Sequence, residues 1–140
     1  MSARLTASTL FVFASSWAMA RTIVSASGAA KTMADGKTTI FDMRSFRECC
    51  QTGIAKSLAT VTIHDTDGIK AIICDMVKIA GGNKSKPVAL ICAAGVRSAR
   101  ALKILVANGF TNIQNISEGM LCRTDAGPGW LKPGLHVSSQ

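Results

Sequence analysis

The sequence predicts an α/β domain of three layers: a central, mostly parallel sheet of five strands with helices on both faces. Short apolar, β-branched runs alternate with stretches of helical periodicity, and no repeat or low-complexity block follows the N-terminal leader. The run "VALIC", Val88 to Cys92, is apolar throughout, as suits a central strand covered on both faces. A length of 140 residues with 48% hydrophobic and 17% charged side chains is enough for one domain with a real core. Strands separated by helices pair in parallel through right-handed crossovers, and ligands of such sheets bind beyond the carboxyl ends of the strands.

The chain opens with "MSARLTASTLFVFASSWAMA". Arg4 precedes a moderately apolar stretch, Leu5 to Trp17, which ends in the small-residue cleavage pattern Ala18-Met19-Ala20. Residues 1–20 are therefore expected to be a cleaved secretory signal and residues 21–140 the domain, which places the protein in the periplasm or outside the cell. An organellar transit peptide is the alternative, because Ser, Thr and Ala abound and no acid appears before Asp35. The stretch is short and rich in Ser and Thr for a membrane span, so no membrane association is expected after cleavage.

"TIV" (Thr22 to Val24) is the first expected strand, and "SASGAAKTMADGK" follows as a helix with Ser25 or Ser27 as its N-cap and Gly36 as its stop. "TTIFD" (Thr38 to Asp42) is the second strand, with a short helical stretch from Ser45 to Gln51 behind it. "ATVTI" (Ala59 to Ile63) is the third. From Gly68 to Gly81 the residues Ile69, Ile72, Ile73, Met76, Val77 and Ala80 follow helical spacing, with Lys70, Asp75 and Lys78 opposite and Gly81-Gly82 ending the helix. Val88 to Cys92 is the fourth strand. Ser98 to Asn108 is a helix burying Ala101, Leu102, Leu105 and Val106 and stopped by Gly109. "NIQNI" (Asn112 to Ile116) is the fifth strand, and the Gly- and Pro-rich remainder is loop with one turn of helix at Trp130-Leu131.

Sixteen Lys and Arg against eight Asp and Glu give a net charge of +8. The basic residues are scattered, without a dense cluster or an aromatic and basic stacking platform, so nucleic acid is not expected as a partner; a basic surface favours small anions. The cysteines are Cys49, Cys50, Cys74, Cys92 and Cys122. An odd number leaves at least one thiol unpaired unless a bridge joins two chains, and no pair has zinc-site spacing, so neither a metal nor a cofactor is expected.

Between the fourth strand and its helix the chain reads Cys92-Ala93-Ala94-Gly95-Val96-Arg97-Ser98. A tight loop of small residues can turn its backbone amides inward, and the helix N-terminus behind it adds about half a positive charge. Gly95 permits a backbone angle that a side chain resists, and Ser98 is positioned to cap the helix. A cysteine facing such an anion cradle should have its thiolate stabilised, which makes it a nucleophile; the alternative is a buried cysteine at a strand end.

This arrangement resembles the active-site loop of the rhodanese family, and the similarity extends along the chain. "FDMRSFRECCQTGIAKS" is similar to the family's Asp-x-Arg strand end, Glu-containing helix and Thr-Gly turn. "KPVALICAAGVRSARALKILVANGFTNIQNISEGM" resembles its catalytic segment, Gly-Phe turn and last strand, and "GPGWLKPGLHV" its single-domain, exported ending. The resemblance implies a rhodanese-like fold and a sulfurtransferase that works through a Cys92 persulfide, with Ala93 to Ser98 as the loop stabilising the terminal sulfur. A small sulfur-containing anion such as thiosulfate would be the donor, and a thiol or cyanide the acceptor. A non-catalytic persulfide carrier, or a module of the same fold docking a redox protein, is the alternative. Phosphatases of related architecture have Cys-x5-Arg; Cys92 to Arg97 is Cys-x4-Arg, a tighter ring that fits one added sulfur better than a phosphoryl group. The chain departs from the family in offering only Ala93 and Ala94 after the cysteine, in Gly53-Ile54-Ala55-Lys56 where Gly-His-Ile-Pro is common, and in Glu118-Gly119 where two glycines are common.

Arg97 has two roles open to it: steering an anionic donor, or pairing with an acid to fix the loop. Asp42 and Arg44 are expected to organise loops beside the site. Cys49 and Cys50 either pack within their helix, form a vicinal disulfide, or supply a resolving thiol, and Cys74 and Cys122 are spectators or disulfide partners. His64 lies just past a strand, and Trp130 is expected to pack the C-terminal segment over the sheet.

Overall fold

The computed structural model describes residues 22–55 and 68–139. The leader, the expected strand Ala59 to Ile63 and His64 lie outside the described residues. Within them the chain forms β1 (Ile23–Val24), α1 (Ala26–Ala34), β2 (Thr39–Asp42), α2 (Phe46–Thr52), β3 (Ile54–Ala55), α3 (Gly68–Ile79), β4 (Val88–Ile91), α4 (Val96–Ala107), β5 (Ile113–Ile116) and β6 (Val137–Ser138).

The described part of the main sheet has the order β1-β5-β4-β2, with every neighbouring pair parallel. β4 is central and wholly buried, as its unbroken apolar run requires. Its side chains alternate between two cores. Val88 and Leu90 join Phe41, Ile72, Met76, Ala101, Leu105 and Phe110 on the face covered by α3 and α4. Ala89 and Ile91 join Ala26, Ala29, Ile40, Met120 and Trp130 on the face covered by α1 and the C-terminal segment. The expected three-layer α/β class is therefore the observed one.

Local chemistry sets the helix ends. The Ser25 hydroxyl accepts from the Gly28 amide, and Gly36 follows α1 with φ of 69°. Ser45 and Glu48 form a reciprocal capping box at the start of α2.

Three expectations are corrected. α4 begins two residues earlier than its polar capping signal, at Val96, because Gly95 turns the chain into the helix in a left-handed conformation; Ser98 then lies inside the first turn and caps nothing. Val106 is half exposed, since it stands one helical step off the Leu105 stripe. The C-terminal segment has hydrogen-bonded turns in place of a helical turn at Trp130-Leu131, and it ends in β6, which pairs antiparallel with β3 in a separate two-stranded sheet. Two-residue strands have no periodicity to betray them.

Trp130 is fully buried, and its indole Nε1 donates to the His136 carbonyl at 3.1 Å. Its own amide donates to Gly119 O at 2.9 Å, so this one residue fastens the C-terminal segment to the turn after β5. Trp130→Ala should lower the unfolding free energy by about 3–5 kcal/mol, read from the urea midpoint at unchanged slope.

Candidate active site

β4 delivers Cys92 to the carboxyl edge of the sheet. Asp42 is the register partner of Ile91, and the Met43 amide donates to Ile91 O at 2.7 Å, so the strand is held up to its last residue. Cys92 is 1% exposed and packs in the core beneath α3 and α4. Ser98, also buried, donates its hydroxyl to Cys92 Sγ at 3.4 Å. Ser98 belongs to the loop expected to stabilise the sulfur, and its early position in α4 makes it a donor beside Cys92 and not a cap.

The backbone amides of Ala94, Gly95, Val96 and Ser98 donate to no acceptor among the described residues. Several of them are the orphan donors of a helix N-terminus, and together they give the loop that follows the buried thiol a set of uncommitted donors. Ala93 and Ala94 contribute backbone alone, and the Val96 side chain points to solvent at 66% exposure.

Two glycines fix the loop. Gly95 has φ of 77°, and a Cβ there would stand 2.1 Å from Ser117 O. Gly119 has φ of 67°, and a Cβ there would stand 2.4 Å from Ala93 O. The loop and the turn after β5 thus touch backbone to backbone. Met120 N donates to Cys92 O at 2.9 Å, Leu121 N to Ala93 O at 3.0 Å, and Asn115 Nδ2 to Gly95 O at 3.4 Å. Glu118, at the position where relatives have a second glycine, is buried and accepts from Gly129 N at 3.1 Å, bracing the next turn.

Arg97 takes the pairing role of the two open to it. Its guanidinium donates to both oxygens of Glu48, from Nη1 at 2.8 Å and from Nη2 at 2.5 Å. Glu48 Oε2 also accepts from the amide and hydroxyl of Ser45 at 2.9 and 2.8 Å. The Arg97 hydrogen bond, helped by those from Ser45 and opposed by partial burial, pulls the Glu48 carboxyl from its ordinary 4.5 down to about 2. One carboxylate therefore caps α2 and ties it to the first turn of α4.

Asp42 and Arg44 form a second, fully buried pair. Arg44 Nε and Nη2 reach Asp42 at 2.7 to 3.0 Å, while Nη1 donates to Thr52 Oγ1 at 2.6 Å and Nη2 to Gly53 O at 2.8 Å. Burial works against the charge on Arg44, but the hydrogen bond and charge of Asp42 outweigh it and raise its pKa. The pair anchors the end of β2 to the end of α2, the organising place expected of it. Cys49 is buried with its thiol 3.9 Å from Asp42 Oδ2, and burial followed by the Asp42 charge pushes that thiol up, so it packs as a neutral group. All five cysteines are free, with Cys50, Cys74 and Cys122 exposed.

Glu48, Asn115 and Glu118 are the residues that reasoning on the cysteine loop did not assign. The Ser-x-x-Glu spacing of Ser45 and Glu48 marks a capping box, but the partner of Glu48 is far along the chain at Arg97.

A parallel sheet whose central strand presents a buried cysteine to a glycine-pinned loop at a helix N-terminus defines a cysteine-loop α/β protein. The profile of the rhodanese-like domain family matches residues 25–121, and the chain belongs to that family. A rhodanese-like domain protein from Staphylococcus aureus is 25% identical, with 83% of this chain and 97% of that one covered and a TM-score of 0.56. A thiosulfate sulfurtransferase from Pseudomonas aeruginosa is 18% identical over 85% of this chain and 20% of its own, with a TM-score of 0.65. A human single-domain sulfurtransferase is 17% identical over 70% of this chain and 90% of its own, with a TM-score of 0.56. The last two likenesses are of fold. No curated protein matches the chain closely enough to count as a relative.

Because the Glu48 pKa is lowered on folding, its contribution to stability is complete above about 4.5 and lost as pH falls through about 2. A third of the Glu48 side chain faces water, so the contribution is about 1 kcal/mol or less. Glu48→Gln should melt a few degrees below the parent at pH 6, and the gap should close towards pH 2. Gly95→Ala should cost at least the ~1–3 kcal/mol of a strained backbone, seen as a lowered thermal midpoint.

Proposed function

We propose that the protein is a sulfurtransferase in which Cys92 carries a sulfane sulfur from a donor such as thiosulfate to a thiol or cyanide acceptor. The observation that carries this reading is the ring itself: a buried sulfur with a hydroxyl donor at 3.4 Å and uncommitted amides on the four residues leading from Ala94 into α4, Arg97 apart. Membership of the rhodanese-like family and the fold likeness to two sulfurtransferases point the same way.

In the first step the Cys92 thiolate attacks the outer sulfur of thiosulfate. The S–S bond of the donor breaks, its electron pair leaves with sulfite, and Cys92 becomes a persulfide anion. The loop amides and the α4 N-terminus stabilise the charge on the terminal sulfur, while Arg97 is engaged with Glu48 and Arg123 with Asp125 and the Ala94 carbonyl. In the second step an acceptor thiolate, or cyanide, attacks that outer sulfur and Cys92 leaves as the thiolate. The products are an acceptor persulfide or thiocyanate, and no net oxidation occurs. The four-residue spacing from Cys92 to Arg97 favours this chemistry over phosphoryl transfer. The signal-like residues 1–20 support export to the periplasm or beyond as the setting.

Incubation with thiosulfate should release sulfite and add the mass of one sulfur atom to Cys92, in equal amounts. Cys92→Ser should abolish both. Sulfite release that persists in Cys92→Ser would overturn the assignment of the nucleophile.

A further inference from the structure

The carboxyl edge of the sheet carries a feature that a small-thiol acceptor leaves unused. Cys92 is 1% exposed, yet exposed large hydrophobic side chains among the described residues lie on the elements that meet at its loop: Phe46 at 66%, Val96 at 66% and Leu121 at 52%. Phe46 opens α2, two residues before the Glu48 that grips Arg97. Val96 opens α4 and precedes Arg97, and the Leu121 amide is bonded to Ala93 O. α2, α4 and the turn after β5, joined at the loop by the Glu48–Arg97 pair and the Leu121–Ala93 bond, thus each carry an exposed apolar residue. Scattered apolar residues need no account, but such a cluster over a reactive group is what a macromolecular contact uses.

Charge narrows the partner. Arg47, beside Phe46, and Arg100, one helical turn beyond Val96, are exposed and have no acidic partner among the described residues. Among the described residues, the acids on these elements are engaged: Glu48 with Arg97, Glu118 with the Gly129 amide, Asp125 with Arg123. The described elements around the loop therefore carry exposed apolar side chains together with the exposed cations Arg47 and Arg100.

We propose that the sulfur acceptor is a cysteine of a protein, carried on an acidic loop flanked by apolar side chains, which docks on the rim of Phe46, Val96 and Leu121. This rests on the sulfurtransferase reading above. The acceptor thiolate attacks the outer sulfur of the Cys92 persulfide, the S–S bond to Cys92 breaks, and the partner leaves as a persulfide. The apolar contacts hold the loop, and Arg47 and Arg100 speed its approach.

The test charges Cys92 with sulfur from thiosulfate or inorganic polysulfide, removes the excess, and follows discharge to three acceptors at equal thiol concentration. These are 2-mercaptoethanol, a short peptide with one cysteine among Asp, Glu, Leu and Phe, and the same peptide with Lys replacing its acids. The acidic peptide should discharge Cys92 about 10-fold faster than the basic one, and the advantage should shrink as salt rises. Phe46→Ser, and separately Arg47→Glu with Arg100→Glu, should remove most of that advantage while leaving discharge of the charged Cys92 to uncharged 2-mercaptoethanol at the parent rate. Equal rates for the two peptides, or an advantage untouched by both variants, would overturn the docking proposal alone. A Cys92 that takes sulfur from neither donor would overturn the sulfurtransferase reading and the docking proposal with it.

Discussion

The cysteine loop and the turn after β5 meet backbone against backbone, and neither Gly95 nor Gly119 leaves room for a methyl group at that contact. The close approach is what allows Met120, Leu121 and Asn115 to hold the loop by hydrogen bonds to Cys92, Ala93 and Gly95. With its carbonyls so engaged, the loop keeps the amides of Ala94, Gly95, Val96 and Ser98 uncommitted. An anion-binding ring of backbone needs this division, since a loop free to relax would turn those amides to its own carbonyls or to water. The C-terminal segment depends on the same contact, because Trp130 and Leu131 continue the bonding to Gly119 and Met120.

α2 is seven residues long, too short to persist by itself, and its position relative to the loop is set from both ends. At its start the capping box of Ser45 and Glu48 closes the first turn, and the same Glu48 holds Arg97. At its end Arg44 takes Thr52 and Gly53 while paired with Asp42. The buried Asp42–Arg44 pair carries a desolvation cost that its attraction roughly offsets, so its worth lies in geometry more than in net stability. Arg97 sits in a shallower, wetter pair. Arg97 serves there as a strut between α4 and α2, and a second arginine, Arg123, reaches the loop at the Ala94 carbonyl.

Much of this was legible in the chain. The alternation of apolar runs and helical periods gave the α/β class, the unbroken Val88–Ile91 run marked the central strand, and the order of motifs pointed to the rhodanese-like family. Less was legible where a signal is short or its partner distant. Ser98 reads as a helix cap because polar residues at such positions usually are, whereas the left-handed Gly95 had already started the helix. β3 and β6 pair across most of the chain through two residues each, which no local pattern encodes.

The sequence by itself determined the succession of the main strands and helices along the chain, the cysteine at the end of a buried strand, and the small residues of its loop, because burial periodicity and glycine freedom are local properties. Tertiary structure alone decided which partner each polar group takes. Arg97 meets Glu48, Ser98 meets Cys92, and Asn115 meets Gly95 only once parallel strands bring three chain segments to one sheet edge. Arg97 and Glu48 stand 49 residues apart and Asn115 and Gly95 20 apart, while Ser98 reaches Cys92 only because Gly95 starts the helix early, and no local propensity selects these partners. The packing of the sheet does.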